Sequence, residues 1–306
     1  MSREVRLKHR AEYAAFQAGI AGGRLLSERQ AVSVGEALGR IGYRMGIKRQ
    51  VVESNLRLAF PDAGDDWIRK TASDAYAHLG RETMMTLRLS WITPRELLAR
   101  THMVNEAAAS ESVREGRGVI VVAGHLGNWE VGAAMIAARG YSIMGIAKRA
   151  ANPLFYERIL AARERFGVGI IDFDDAAKPT LRALREGHIV AFAADQHAGR
   201  SGIWVPFFGR LASTYRGPAL MALRTGAPMY VSVPLRMDSG DYELSLERID
   251  TTPTGDLHAD VERVTREYAK RLESAVRAHP AQYLWHHRRW RRPPAAVEEQ
   301  AGRGAV

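Results

Sequence analysis

The chain has 306 residues, 46% hydrophobic and 25% charged, enough to bury the core of one large domain or two small ones. It has no cysteine, which excludes disulfides, thiolate metal sites and a cysteine nucleophile. Its formal net charge is +10, and only six of the 44 basic residues are lysine; so arginine-rich a surface suits phosphates, whether on nucleic acid, an anionic membrane face or an acidic carrier protein.

The first hundred residues read as helices. Residues 1–10 are polar and basic, and no apolar core or cleavage pattern follows them, so no signal peptide is read. The uncharged run Tyr13 to Gly23 falls short of the roughly 18 residues that cross a membrane. It is weakly amphipathic and suits either packing on the body or lying on a membrane surface. Ser27 is placed to cap a helix carrying Val32, Val34, Leu38 and Ile41. A second helix is predicted over 48–60, stopped by Phe60-Pro61, and a long one over 65–89. Thr93-Pro94 starts the next.

From about residue 101 the pattern alternates. Strands are predicted over 119–123, 142–147, 169–172, 188–194, 229–235 and 242–249. Helices fall over 106–115, 128–139, 153–166, 177–186 and 214–225, with a last one over 257–278. Short apolar strands alternating with longer helices predict an α/β fold: a mixed, largely parallel central sheet flanked by helices, with a helical N-terminal region. The expected divisions are 1–100 for that region, packing on the core, 101–292 for the α/β core, and 293–306 for a disordered tail.

Candidate chemistry gathers at predicted strand ends. The stretch Gly118 to Gly132 reads as a β-branched strand, a small-residue turn, then a helix start. His125 follows the strand at once and Glu130 falls in the first helical turn, where the helix dipole favours a carboxylate. Taken together they read as a general base and its orienting group. The backbone N–H groups around Gly127, Asn128 and Trp129 are candidates for holding an anion or a developing oxyanion. Asp195 directly follows the strand 188–194, and carboxyl ends of parallel strands share one crevice, so it can converge on His125 or simply cap a turn. Lys148 and Arg149 follow the strand 142–147, where a phosphate contact or a solvated pair are both open. The aromatic, apolar loop Val205 to Gly209, with Phe207 and Phe208, suits core packing, an acyl pocket or a membrane contact. His286 to Arg292 is a basic aromatic cluster, suited to headgroups or to a solvated end. Phosphate-binding Gly-rich loops, a nucleophilic serine elbow and a His-Glu-x-x-His zinc motif are absent, and His125 with Glu130 lacks a third metal ligand. No metal and no cofactor is expected.

These residues carry a resemblance. His125-x4-Glu130 resembles the His-x4-Asp/Glu signature of glycerolipid-type acyltransferases. The fuller His-Leu-Gly-Asn-Trp-Glu string is similar to the branch holding bacterial lipid A late acyltransferases and the mycobacterial phosphatidylinositol mannoside acyltransferase. Other blocks agree in order: Asn55 to Pro61, then Lys148-Arg149 with Asn152-Pro153, then Asp195, Val205 to Gly209 and Thr214, then Tyr283 to Arg289. The resemblance covers about 30–292. It implies an enzyme of EC 2.3.1 type on the cytoplasmic face of the inner membrane. That enzyme would move a fatty acyl group from acyl carrier protein or acyl-coenzyme A to a glycolipid hydroxyl, a lipid A precursor first and a phosphatidylinositol mannoside or other lysolipid second. It further implies His125 as the base, Glu130 or Asp195 as its supporting carboxylate, and Arg149 as a phosphate contact. Gly127, Asn128, Lys148, Phe207, Phe208 and Thr214 complete the expected substrate-binding set. Lipid A members usually begin with a membrane-spanning helix, which is not found in this chain, whereas the mannoside branch is peripheral. A peripheral enzyme on an anionic membrane surface is therefore expected. A basic nucleic-acid-binding protein is the alternative of another class, but no recognition helix or aromatic-basic sheet face is found, so nucleic acid is not an expected partner.

Overall fold

A computed structural model describes residues 6–150 and 152–291; the expected tail over 293–306 lies outside them. Five helices precede the first strand: α1 (Leu7–Arg24), α2 (Glu28–Arg44), α3 (Arg49–Ala59), α4 (Asp65–Arg88) and α5 (Pro94–Leu98). Their starts follow local chemistry. Ser27 caps α2 by accepting from the Gln30 amide, while the Gln30 side chain accepts from the Ser27 amide. Thr93 and Glu96 form the same reciprocal box at α5, with Pro94 at its first position. Helices α2 and α4 cross at almost backbone contact. A Cβ on Gly39 would stand 2.0 Å from the Tyr76 carbonyl oxygen, and one on Gly80 2.0 Å from that of Gly35.

The core follows as β1 (Thr101–Val104), α6 (Glu106–Arg114), β2 (Val119–Ala123), α7 (Trp129–Ala138), β3 (Ile143–Ala147), α8 (Pro153–Glu164), β4 (Val168–Asp172), α9 (Ala177–Arg185) and β5 (Ile189–Ala193). Then come β6 (Ile203–Phe207), β7 (Arg210–Thr214), α10 (Gly217–Thr225), β8 (Met229–Arg236), β9 (Tyr242–Ile249) and α11 (Leu257–Ala278). Seven strands form one sheet in the order β1-β9-β8-β2-β5-β3-β4. All neighbours are parallel except β8 and β9, so the sheet is mixed and largely parallel, as expected.

Strand β2 sits at the centre, and its alternation divides the core in two. Val119 and Val121 pack with Val131 and Met135 of α7 on one face. Ile120 and Val122 pack with Val264, Tyr268 and Leu272 of α11 on the other. A strand buried on both faces needs the unbroken β-branched run read in the sequence. Each such side chain contributes about 1.5–3 kcal/mol by leaving water.

Two features depart from the sequence reading. The segment over 205–209 is not a loop: β6 and β7 form an antiparallel hairpin, turned by Phe208 and Gly209, which have φ values of 54° and 69°. Positive φ at both turn residues matches the twist of a hairpin, but a phenylalanine in that region hides the turn from pattern reading. Helix α10 accordingly starts at Gly217 rather than 214. Strand β1 was also missed; it is four residues at a sheet edge, paired to β9 alone.

The α2–α4 crossing yields a stability test. Gly80→Ala adds about 1 kcal/mol of helix propensity, but its methyl meets backbone that cannot yield. A net fall in Tm is expected. Gly19→Ala in α1 meets nothing within 4 Å, and its Tm is expected to rise. Thermal melts of the two variants against the parent check both signs.

Candidate active site

Parallel pairing of β2 with β5 places Ala123 opposite Ala193. Two residues beyond each partner stand His125 and Asp195, so the register brings them to one spot at the carboxyl edge of the sheet. The His125 backbone amide donates to Asp195 Oδ2 at 2.8 Å. Its ring Nδ1 lies 2.7 Å from Asp195 Oδ1. One carboxylate thus takes both donors of one residue. Burial works against the Asp195 charge, but the imidazole and the two hydrogen bonds outweigh it and hold the carboxyl down to about 2. Burial likewise disfavours the His125 imidazolium. The Asp195 charge and hydrogen bond win there too, and raise the imidazole above its ordinary value, with the Glu130 charge adding to them. With the Nδ1 proton donated to the ionised Asp195, Nε2 keeps the lone pair. The Gln196 side-chain nitrogen lies 3.4 Å from Nε2, and the Trp129 ring meets the imidazole edge-on at 4.7 Å.

The turn after His125 is pinned on every side. Gly127 has φ +62°, and a Cβ there would lie 1.7 Å from the Pro234 carbonyl oxygen, so only glycine fits. Its amide donates to the Gln282 carbonyl at 3.0 Å, and the Leu284 amide donates to the His125 carbonyl at 2.9 Å. The Asn128 amide donates to Pro234 at 3.0 Å. The Asn128 side chain caps α7 at the Val131 amide, 3.0 Å, and donates to Glu82 Oε2 at 2.8 Å. Glu82 also accepts from the Tyr242 hydroxyl at 2.6 Å. The expectation that the Gly127 and Asn128 amides await an anion is therefore corrected: neighbouring carbonyls already use both.

Glu130 does not bond His125. It stands in the first turn of α7 and accepts a two-pronged contact from Arg163 of α8, at 2.9 and 2.5 Å. Of the two carboxylates read from the sequence, Asp195 is the one on the histidine. Lys148 lines a cavity that opens onto His125. Arg149 does not, because successive residues at a strand end point apart; it pairs with Asp172 at 2.5 Å over a separate groove.

Phe207, Phe208 and Thr214 are buried and line neither cavity beside His125. The rings of Phe60, Phe208 and Trp285 pack edge-on into one cluster. The Arg289 guanidinium lies 5.0 Å over the Phe207 ring and donates to Thr214 Oγ1 at 2.6 Å. Arg289 is itself 3% exposed, and its charge helps hold Asp195 ionised. In the structure these three residues serve the core and an arginine behind the site. The basic cluster over 286–292 is correspondingly not all solvated.

Two cavities open onto His125. One, of about 380 Å³, is lined mostly by apolar side chains, including Phe16, Leu79, Leu87, Ile159 and Phe166. The other, of about 320 Å³, includes Lys148, Arg163, Gln196 and Tyr215. His125, Trp129 and Glu130 belong to both walls. Sequence reading passed over Glu82, Arg163, Gln196 and Gln282, because nothing in their own neighbourhoods marks them.

The model of the family described as bacterial lipid A biosynthesis acyltransferase matches residues 2–292. The chain is 29% identical to the lipid A biosynthesis lauroyltransferase of Escherichia coli (strain K12), covering 86% of each chain. It is 24% identical to the phosphatidylinositol mannoside acyltransferase of Mycolicibacterium smegmatis (strain ATCC 700084 / mc(2)155), covering 86% of this chain and 85% of that one. It is 25% identical to the lipid A biosynthesis myristoyltransferase of Escherichia coli (strain K12), covering 81% and 77%. Among the described residues no helix is long and apolar enough to cross a membrane. With a family match running nearly end to end, and the His-x4-Glu block standing where a strand delivers a histidine to a buried carboxylate, the chain belongs to the bacterial lipid A biosynthesis acyltransferase family.

Proposed function

We propose that this acyltransferase moves a fatty acyl group from a thioester, on acyl carrier protein or coenzyme A, to a hydroxyl of a membrane glycolipid, and that the glycolipid is a lipid A precursor. The observation that carries the reading is His125, backed by buried Asp195, at the meeting of an apolar cavity and a second, more polar one that holds Lys148 and Gln196. The apolar cavity suits the acyl chain. The polar one suits the acceptor hydroxyl and the phosphates near it, with Lys148 as the cation.

His125 Nε2 takes the hydroxyl proton as the oxygen attacks the thioester carbonyl. Asp195 stabilises the imidazolium that forms. The carbon–sulfur bond then breaks, and the imidazolium returns the proton to the departing sulfur. A thioester is already activated, so no covalent enzyme nucleophile is needed. A positioned base supplies about 10²–10⁴-fold, and alignment of the two substrates supplies more. Glu130 joins α7 to α8 through Arg163 and adds negative charge near the base.

The lipid A assignment rests on the lauroyltransferase likeness. A phosphatidylinositol mannoside is the second reading, on the likeness to that acyltransferase. Mass spectrometry separates them. Purified protein, supplied with lauroyl and palmitoyl thioesters of carrier protein and coenzyme A, is expected to add one acyl mass to a lipid A precursor. His125→Ala is expected to add none. Transfer to a mannoside instead would move the assignment to the second reading, and equal product from the variant would remove His125 as the base.

The raised His125 value gives a pH test with a defined sign. The base must be neutral, so kcat/KM is expected to rise with pH through a value above that of a free imidazole. Asp195→Asn removes the charge that raises it and leaves the burial that lowers it. The acid limb is expected to move to lower pH while kcat falls about 10²–10⁴-fold, because the imidazole loses its tautomer. An unmoved limb would detach Asp195 from the base.

Helix α2 supports peripheral attachment to the cytoplasmic face of the inner membrane. Val34, Leu38, Ile41 and Met45, at helical spacing, are 40%, 57%, 47% and 72% exposed. Leu25 and Ile47, just beyond the helix ends, are also exposed, and Arg24, Arg44 and Lys48 stand beside them in sequence. An apolar ridge fringed by cations fits the interface of an anionic bilayer. The parent is expected to sediment with anionic vesicles more than with neutral ones. Leu38→Asp with Ile41→Asp is expected to abolish sedimentation at unchanged Tm. Failure of the parent to bind either vesicle would sink the attachment.

A further inference from the structure

We propose that Gln196 is a further catalytic residue: its side-chain amide caps the base in the free enzyme and holds the thioester carbonyl oxygen during transfer. This rests on the thioester-transfer reading above. The residue directly follows Asp195, lines the polar cavity, and places its amide nitrogen 3.4 Å from His125 Nε2. Among the described residues no other side chain has a polar contact at that nitrogen.

Attack on the carbonyl puts negative charge on its oxygen, and a preorganised N–H at that oxygen is normally among the largest single contributions to such a reaction. Of the turn amides, those of His125, Gly127 and Asn128 are taken by Asp195, Gln282 and Pro234, while that of Trp129 opens α7. The Asn128 side chain is taken by Glu82. The Gln196 amide has its long contact to the base and lies where carbonyl and hydroxyl must meet. A neutral imidazole accepts an N–H at Nε2, so the amide shields the lone pair until substrates arrive. The acceptor hydroxyl then takes its place at Nε2, and the freed N–H turns to the carbonyl oxygen. As the hydroxyl oxygen bonds the carbonyl carbon, its proton passes to Nε2 and the charge on the carbonyl oxygen is met by the amide. Collapse breaks the carbon–sulfur bond, and the sulfur leaves with the proton from Nε2.

Steady-state transfer with Gln196→Ala and the isosteric Gln196→Glu tests this, with folding checked by thermal melting. Both are expected to lose about 10²–10³-fold in kcat with KM nearly unchanged. Gln196→Glu is expected to be the worse of the two, because its carboxylate repels the oxyanion and also moves the acid limb of kcat/KM to higher pH. Binding supplies a second readout. An acyl trifluoromethyl ketone, whose hydrate carries an oxyanion once it loses a proton to His125, is expected to bind Gln196→Ala weaker by a factor similar to the loss in kcat. An acyl thioether without the carbonyl is expected to bind both proteins alike. Parent activity with a full kcat in folded Gln196→Ala, or a loss confined to KM, would overturn the proposal alone. A parent inactive with every thioester would overturn it together with the reading beneath it.

Discussion

A carboxylate sealed inside a protein costs several kcal/mol unless donors and an opposite charge meet it. Asp195, whose side chain is 2% exposed, meets the donors from His125, which gives it a backbone N–H and a ring N–H. That double contact fixes more than a proton. It sets the imidazole orientation, leaves Nε2 as the acceptor, and ties the ends of β2 and β5 together beyond their last paired residues. Arg289, buried against Ser213, Thr214 and Phe207, adds a fixed positive charge behind the pair.

Much of the remaining structure keeps that contact in place. The chain after α11 returns to the histidine turn, where Gln282 and Leu284 form hydrogen bonds on either side of Leu126. Asn55 of α3 donates to the carbonyls of Trp285 and His287, at 2.7 and 2.8 Å, and so anchors the returning segment. Pro234 accepts the Asn128 amide because β8 runs on past the end of β2. On the far side of the turn, Glu82 of α4 gathers Asn128 and Tyr242. Blocks hundreds of residues apart thus form one shell of hydrogen bonds around five residues of turn. Asn152 does similar work at the edge of the site: it caps α8 at the Leu154 amide and donates to the His9 carbonyl of α1.

The two cavities beside His125 differ in the polar groups they hold. Helices α1, α4, α7 and α8 supply an apolar wall, while the ends of β3 and β5 supply polar and cationic side chains. Glu130 and Arg163 stand between them and neutralise one another, so the partition carries polar atoms without an unmet charge. Helix α2 turns its glycine face to α4, which leaves its aliphatic side chains outward. The same close crossing that stabilises the N-terminal region therefore leaves a ridge for another surface.

Local patterning is legible wherever neighbouring residues decide the outcome. The β-branched runs of the major strands, the Ser27 and Thr93 caps, the halt at Phe60-Pro61 and the placing of His125 and Asp195 at strand ends all rest on a few adjacent side chains. The hairpin of β6 and β7 escaped because Phe208 takes a conformation its type disfavours, and β1 because an edge strand of four residues carries little pattern. The choice between Glu130 and Asp195 is different in kind. Their nearness to His125 in sequence pointed to Glu130, but strand order and a parallel register brought Asp195 seventy residues back to the ring, while Arg163 arrived from α8 to hold Glu130. The same long-range assembly spent the turn amides on Gln282 and Pro234, buried Phe207, Phe208 and Thr214, and turned Lys148 and Arg149 to different cavities. By itself the sequence determined the major elements, because these depend on short-range sterics and hydrophobic period, and its ordered motif blocks carried the family resemblance and the residue types at the site. Only the tertiary structure decided which of those residues meet, because hydrogen bonds and burial depend on distances that the chain sets only when its sheet is assembled.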